Sequence, residues 1–356
     1  MNDLLYFFIC VLFGFAGMYI GYKPQSDKYA QTLKFSYLML PLPYIYVFYA
    51  VCAIFAFFRL NNNDFIEDLT FWRVIVPLIS APIIYGACTV LSERRALLIT
   101  IVCVALTVWL QPVGEGNSYP ALPIWLLQII ILILAFVYCW GAMLNNFLPH
   151  TLLIPQITLL LGLAGMAFLG AAPLYIALCA GALLGALGGY LSINFYDVKI
   201  EIDNAAAITL SYMVCSLVLM NIGEMGLPSC AILTCVFWVE LLTALWRYFF
   251  ISRSGSLYES TNYYIAAQRL TVKELVVSIS KVSAVMMFLA WFQLYSVNNY
   301  SLVIVAFCVA LWLNGSMGSM SGGKQTLREI NQDVMENIKQ GIQETKDALS
   351  QRRKDK

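Results

Sequence analysis

The chain has 356 residues, 61% hydrophobic and only 12% charged, and its 21 basic and 20 acidic side chains leave a formal net charge of +1. This mixture lies far from that of a soluble domain, and the near-zero charge argues against a nucleic-acid partner. It predicts an all-α, polytopic membrane protein, because a helix satisfies its own backbone hydrogen bonds and about 20 apolar residues cross the hydrocarbon core.

Eleven apolar segments follow in chain order, at 4–20, 35–58, 74–90, 96–110, 124–144, 151–169, 174–193, 205–221, 230–251, 276–295 and 301–312. The first is weakly basic at its start and lacks a clear small-residue cleavage site, so it reads as a retained span rather than a signal peptide. An odd number of spans puts the termini on opposite sides. With the C-terminus inside, nineteen basic residues face the cytoplasm and only Arg59 and Arg73 face outward. The expected topology is therefore N-terminus outside and C-terminus cytoplasmic.

After residue 312 the composition changes. Residues 313–324 include NGSMGSMSGGK, a flexible linker, and 325–356 are polar with one apolar stripe at Leu327, Ile330, Val334, Ile338, Ile342 and Leu349. That stripe suits a coiled coil or a docking helix for a cytoplasmic protein partner, with a membrane-surface helix as the second reading. It also leaves room for a homo- or hetero-oligomer. The expected organisation is a transmembrane domain at 1–312, the linker, and the helical tail.

The ten cysteines all lie in or at the ends of apolar spans and form no CxxC pair, so they read as small buried hydrophobes rather than a disulfide framework or a zinc site. The single histidine, His150, cannot build a histidine metal site alone and reads as a helix-start residue at the interface. In GALLGALGGY, Gly181, Gly185 and Gly189 recur at four-residue spacing, the pattern of a closely packed helix face.

The expected cytoplasmic loops carry the polar chemistry: GYKPQSDKY at 21–29, LSERRA at 91–96, NNFLPH at 145–150, FYDVKIEIDN at 195–204 and the stretch 253–274. The cluster Asp197, Lys199, Glu201 and Asp203 is open to two readings. It could hold a metal and a phosphorylated substrate, or it could be a solvated turn in which Asp203 or Asn204 caps the next helix. Glu240 sits inside an apolar span, where an ionisable group must be paired, protonated or wet. Arg247, two turns on, could pair with it through water or a neighbouring span, and a catalytic role is the other reading.

The order and spacing of these loops resemble a divergent member of the MraY/WecA-like polyprenyl-phosphate sugar-1-phosphate transferases, glycosyltransferase family 4. YIGYKPQSDKYAQTLK resembles the family's GLxDxPxxRKxH loop, GALLGALGGYLSINFYDVKIEIDNAAAI its small-residue span and MGDxGS motif, and WVELLTALWRYFFISRSGSLYESTNYYIAAQRLTVKEL its acidic span and HxHH-bearing loop. The resemblance implies a bacterial inner-membrane protein that takes polyprenyl phosphate, with Asp203 as the surviving catalytic aspartate. It also implies Lys199, Asn194, Asn146, Arg94, Arg95, Arg253, Arg269 and Glu240 around the lipid phosphate. A working family member uses magnesium.

Here most of the family's aspartates are replaced. Cys88 and Thr89 stand at the DD pair, Asn146 matches the leading asparagine of the DGxDG region but no acid follows, and IAAQ at 265–268 stands at HxHH, with Asn262 at the preceding aspartate. The expectation is a non-catalytic protein without a cofactor that binds polyprenyl phosphate or supports a partner in envelope polysaccharide assembly. An active UDP-sugar transferase is the second reading and a lipid transporter or flippase the third. FLPHTLLIPQITLLLGL also resembles the LPDxLTLP stretch of prepilin peptidases, whose second aspartate again falls on Asp203 and whose first falls on Ala142.

Overall fold

The computed structural model describes residues 2–32, 38–60, 68–111, 123–146, 148–194, 200–250, 257–268, 270–296 and 300–314. The tail at 325–356 and the linker from 315 lie outside them. The described chain is helical apart from one two-residue parallel bridge, in which Leu38 and Met39 (β1) pair with Ile200 and Glu201 (β2).

Helices form at each of the eleven apolar segments: α1 Asn2–Thr32, α2 Leu42–Leu60, α3 Asp68–Val90, α4 Glu93–Leu110, α5 Ile124–Gly141, α6 Pro149–Phe168, α7 Leu174–Asn194, α8 Asn204–Met220, α9 Ile222–Phe250, α11 Val272–Gln293 and α12 Ser301–Asn314. A short α10, Asn262–Ala267, lies in the stretch read as loop. Seven of these helices are long and apolar enough to cross a membrane, and three shorter ones are apolar throughout. The protein is thus a membrane protein with transmembrane helices. α4, 18 residues long, begins with Glu93, Arg94 and Arg95, which place a charged turn at its start.

Two elements depart from the sequence reading. α1 does not stop at the end of its apolar run; its backbone continues as helix through the 21–29 stretch to Thr32. α9 begins early and is interrupted at Gly226, whose φ of 78° and ψ of 153° belong to backbone that essentially only glycine adopts, so the chain turns there before the long span resumes.

The core is built around α7, whose glycine face packs against α1. A Cβ on Gly185 would lie 1.8 Å from the Val11 carbonyl oxygen, and one on Gly14 would lie 1.8 Å from the Ala182 oxygen. Backbone therefore touches backbone, as the four-residue glycine spacing predicted. Between lipid-bathed helices this contact matters more than in water, since lipid is as apolar as leucine and only packing favours the pair.

Described parts of three chain connections meet at one end of the bundle. The β1–β2 bridge joins residues 38–39 to 200–201, Asn146 bonds the Ile202 carbonyl, and His150 bonds the Asn194 carbonyl. At the opposite end the start of α3 meets the end of α4: Arg73 Nε donates to the Leu110 carbonyl at 2.9 Å and so satisfies one of the last carbonyls of α4.

Candidate functional site

The first turn of α4 places Arg94 and Arg95 in the open, side by side with Glu93. Helical spacing then sets Leu98, Val102 and Leu106 in line below Arg94, each one turn further along the same stripe. All three are exposed apolar side chains. They form one wall of a groove of about 420 Å³ whose other wall is Val76, Ile79 and Ile83 of α3. Arg94 and Arg95 precede Leu98 and Ile99, the first α4 residues of the lining, by one helical turn, so the apolar groove runs along α4 from just below two exposed cations and the helix N-terminus, an arrangement that suits an anionic head on a long hydrocarbon chain. A second apolar cavity of about 170 Å³ lies between α5, α8 and α9, with no charged residue in its lining.

At the same end of the bundle the residues around Asp203 are engaged with one another. Asp203 is the N-cap of α8, its Oδ1 accepting from the Ala206 N–H at 2.7 Å. Asn146 Nδ2 donates to the Ile202 carbonyl at 2.6 Å and reaches Asn204 Oδ1 at 3.4 Å, tying the chain before α8 to the turn before α6. His150 is buried rather than interfacial. Its Nε2 lies 3.0 Å from the Asn194 carbonyl, which can only accept, so the proton sits on Nε2. Tyr85 and Cys88, at the end of α3, lie close enough to Asp203 to sense its charge.

Capping sets the size of one prediction. Asp203→Ala is expected to lower stability by about 1 kcal/mol, whereas Asp203→Asn or Asp203→Ser, which keep a capping oxygen, should leave it nearly unchanged. Thermal unfolding of the three variants in one detergent checks this.

Glu240 is enclosed, 1% exposed, and both of its oxygens are occupied. Oε1 accepts from the Tyr263 N–H at 2.8 Å and Oε2 from Asn262 Nδ2 at 2.9 Å. The other side of the Asn262 amide accepts from Arg247 Nη2, while Arg247 Nη1 donates to the Ser260 carbonyl at 3.0 Å. The pairing of Glu240 with Arg247 thus runs through a buried amide. The bridging role of that amide is invisible in the sequence, because a lone loop asparagine carries no periodic signal.

The structure brings Asp203, Asn146 and Asn194 to one end of the bundle and leaves Arg94 and Arg95 on its surface. Lys199, Arg253, Arg269 and Asp197 lie outside the described residues. Among the described residues, no three His, Cys, Asp or Glu side chains gather as metal ligands would. Eight cysteines are buried, Cys88 is half-buried and Cys308 is exposed. Buried polar residues inside α6 and α8, notably Gln156 and Ser211, also escaped the sequence reading, although a glutamine beside a proline within an apolar run was a signal to follow.

No family model matches the chain. No curated protein matches it either.

Proposed function

We propose that this is a non-catalytic, eleven-span protein of the bacterial inner membrane that holds polyprenyl phosphate on a scaffold like that of the MraY/WecA-like transferases. Its N-terminus faces outward, and the tail at 325–356 docks a partner in envelope polysaccharide assembly. The observation that carries the lipid reading is the exposed Arg94–Arg95 pair one helical turn before Leu98 and Ile99, where the α4 wall of the α3/α4 groove begins. The phosphate sits on the two guanidinium groups and the isoprenoid chain follows Leu98, Val102 and Leu106. Support for the loss of catalysis comes from the two acidic family positions. Asp203 is held in a cap, and Glu240 is committed to Tyr263 and Asn262.

Isolated from native membrane in mild detergent, the protein is expected to carry polyprenyl phosphate detectable by mass spectrometry. Combining Arg94→Gln with Arg95→Gln should reduce the bound lipid roughly 30-fold, from about 1 kcal/mol per cation facing an anionic lipid. Lipid content unchanged by that pair, or no lipid at all, would sink the reading. Magnesium-dependent release of UMP from a UDP-sugar, lost in Asp203→Asn, would establish an active transferase instead. Movement of lipid between vesicle leaflets without nucleotide turnover would establish a flippase.

A further inference from the structure

A small cavity of about 20 Å³ lies inside the bundle where the turn Ala142–Asn145, α6, α8 and α10 meet. Its polar lining is Tyr138, Asn145, Thr151, Gln156, Ser211 and Tyr263. Three side-chain atoms on these residues are buried without a partner: Asn145 Oδ1, Gln156 Oε1 and the Tyr263 hydroxyl. The three residues are 6%, 3% and 0% exposed. Two neighbours are already engaged: Ser211 Oγ accepts from Gln156 Nε2 at 2.5 Å, which sets the amide with its oxygen away from Ser211, and Thr151 Oγ1 donates to the Asn145 and Leu148 carbonyls.

We propose that this cavity holds one structural water molecule. The volume accepts a single water and little more. The valence also fits: a water donates two hydrogens and accepts at least one, and the unpartnered set is two carbonyl-type acceptors and one hydroxyl. Its hydrogens go to Asn145 Oδ1 and Gln156 Oε1, and its oxygen accepts from Tyr263. Pro155 also lines the cavity and has no N–H to give the Thr151 carbonyl, a gap that ordered water commonly fills in apolar interiors. A sodium ion suits the site less, since the lining offers few oxygens and no carboxylate to offset a buried charge. Held this way, α10 is fixed from two sides, by the water at the Tyr263 hydroxyl and by Glu240 at the Tyr263 N–H.

Radiolytic hydroxyl labelling of the purified full chain in oxygen-18 water tests the site, because radicals formed at a bound water mark the side chain beside it. Tyr263 is expected to take up label although it has no exposed surface, while the equally buried Tyr212, whose hydroxyl is bonded to Thr107, stays unmarked. Gln156→Leu should abolish the Tyr263 label. If that variant does not fold, the comparison of Tyr263 with Tyr212 in the unaltered protein decides alone. Equal labelling of the two tyrosines overturns the proposal. So does a melting temperature that rises in sodium chloride but not in choline chloride, which would assign the cavity to an ion.

Discussion

Gly185→Ala is expected to abolish recovery of folded protein, although it adds a single methyl group. The new carbon would fall 1.8 Å from the Val11 carbonyl oxygen and 2.9 Å from the Phe15 nitrogen, and both are backbone atoms of α1 that cannot rotate away. Overpacking a core commonly costs about 1–3 kcal/mol, and a clash between backbones lies at or beyond the upper end. Moving α1 away to relieve it would also open the contacts that Gly181 and Gly189 make with α1 and that Gly14 of α1 makes with α7. Gly188→Ala is the matched control. It lies on the same helix with nothing within 4 Å of its Cβ position, and should leave stability unchanged or raise it by up to about 1 kcal/mol through helix propensity. Size-exclusion profiles and thermal unfolding of the two variants in one detergent check the contrast; equal behaviour would show that α1 and α7 do not approach as closely as their glycines allow.

The glycine spacing made the packed face of α7 legible, and the apolar runs made the helices legible, because in a lipid phase a long apolar stretch has one way to satisfy its backbone. The partner of that face was not legible. Nothing in 181–190 says that α1, some 170 residues earlier, supplies Gly14 to meet it. The groove is half local. Arg94, Leu98, Val102 and Leu106 step by four along the sequence, yet only the position of α3 turns that stripe into a channel. Polar contacts across long separations left almost no trace. Asn262 meets Glu240 from 22 residues away because the chain doubles back through α10, and Gln156 meets Ser211 from 55 residues away. Such pairings are fixed by tertiary geometry alone, so Glu240 and Arg247 could be matched from their spacing while the amide between them could not.

Asn262→Leu is expected to destabilise the protein by about 3–5 kcal/mol, because it leaves two buried charged groups without the group that joins them. Glu240 and Arg247 are 1% and 5% exposed, so neither can recover its lost bond from water without local unfolding of α10. Arg247→Met alone should have an effect of similar size, since the Glu240 carboxylate would then stay buried without a nearby cation. Joint replacement behaves differently. Adding Glu240→Leu to Arg247→Met removes both charges; beyond the Asn262 Oδ1 and Ser260 carbonyl that Arg247→Met already frees, it costs the Tyr263 N–H its acceptor and leaves Asn262 Nδ2 only Thr243, losses of neutral bonds at about 1–3 kcal/mol for an unmet group in place of a buried unpaired charge. The double variant should therefore unfold at a higher temperature than Arg247→Met, a coupling a double-mutant cycle resolves. Strictly additive losses would mean that the two charges do not depend on one another and that α10 is held by its apolar contacts. A double variant more stable than Arg247→Met would instead show that the acid inside α9 is retained for its basic counterpart and for the loop that Asn262 carries between them.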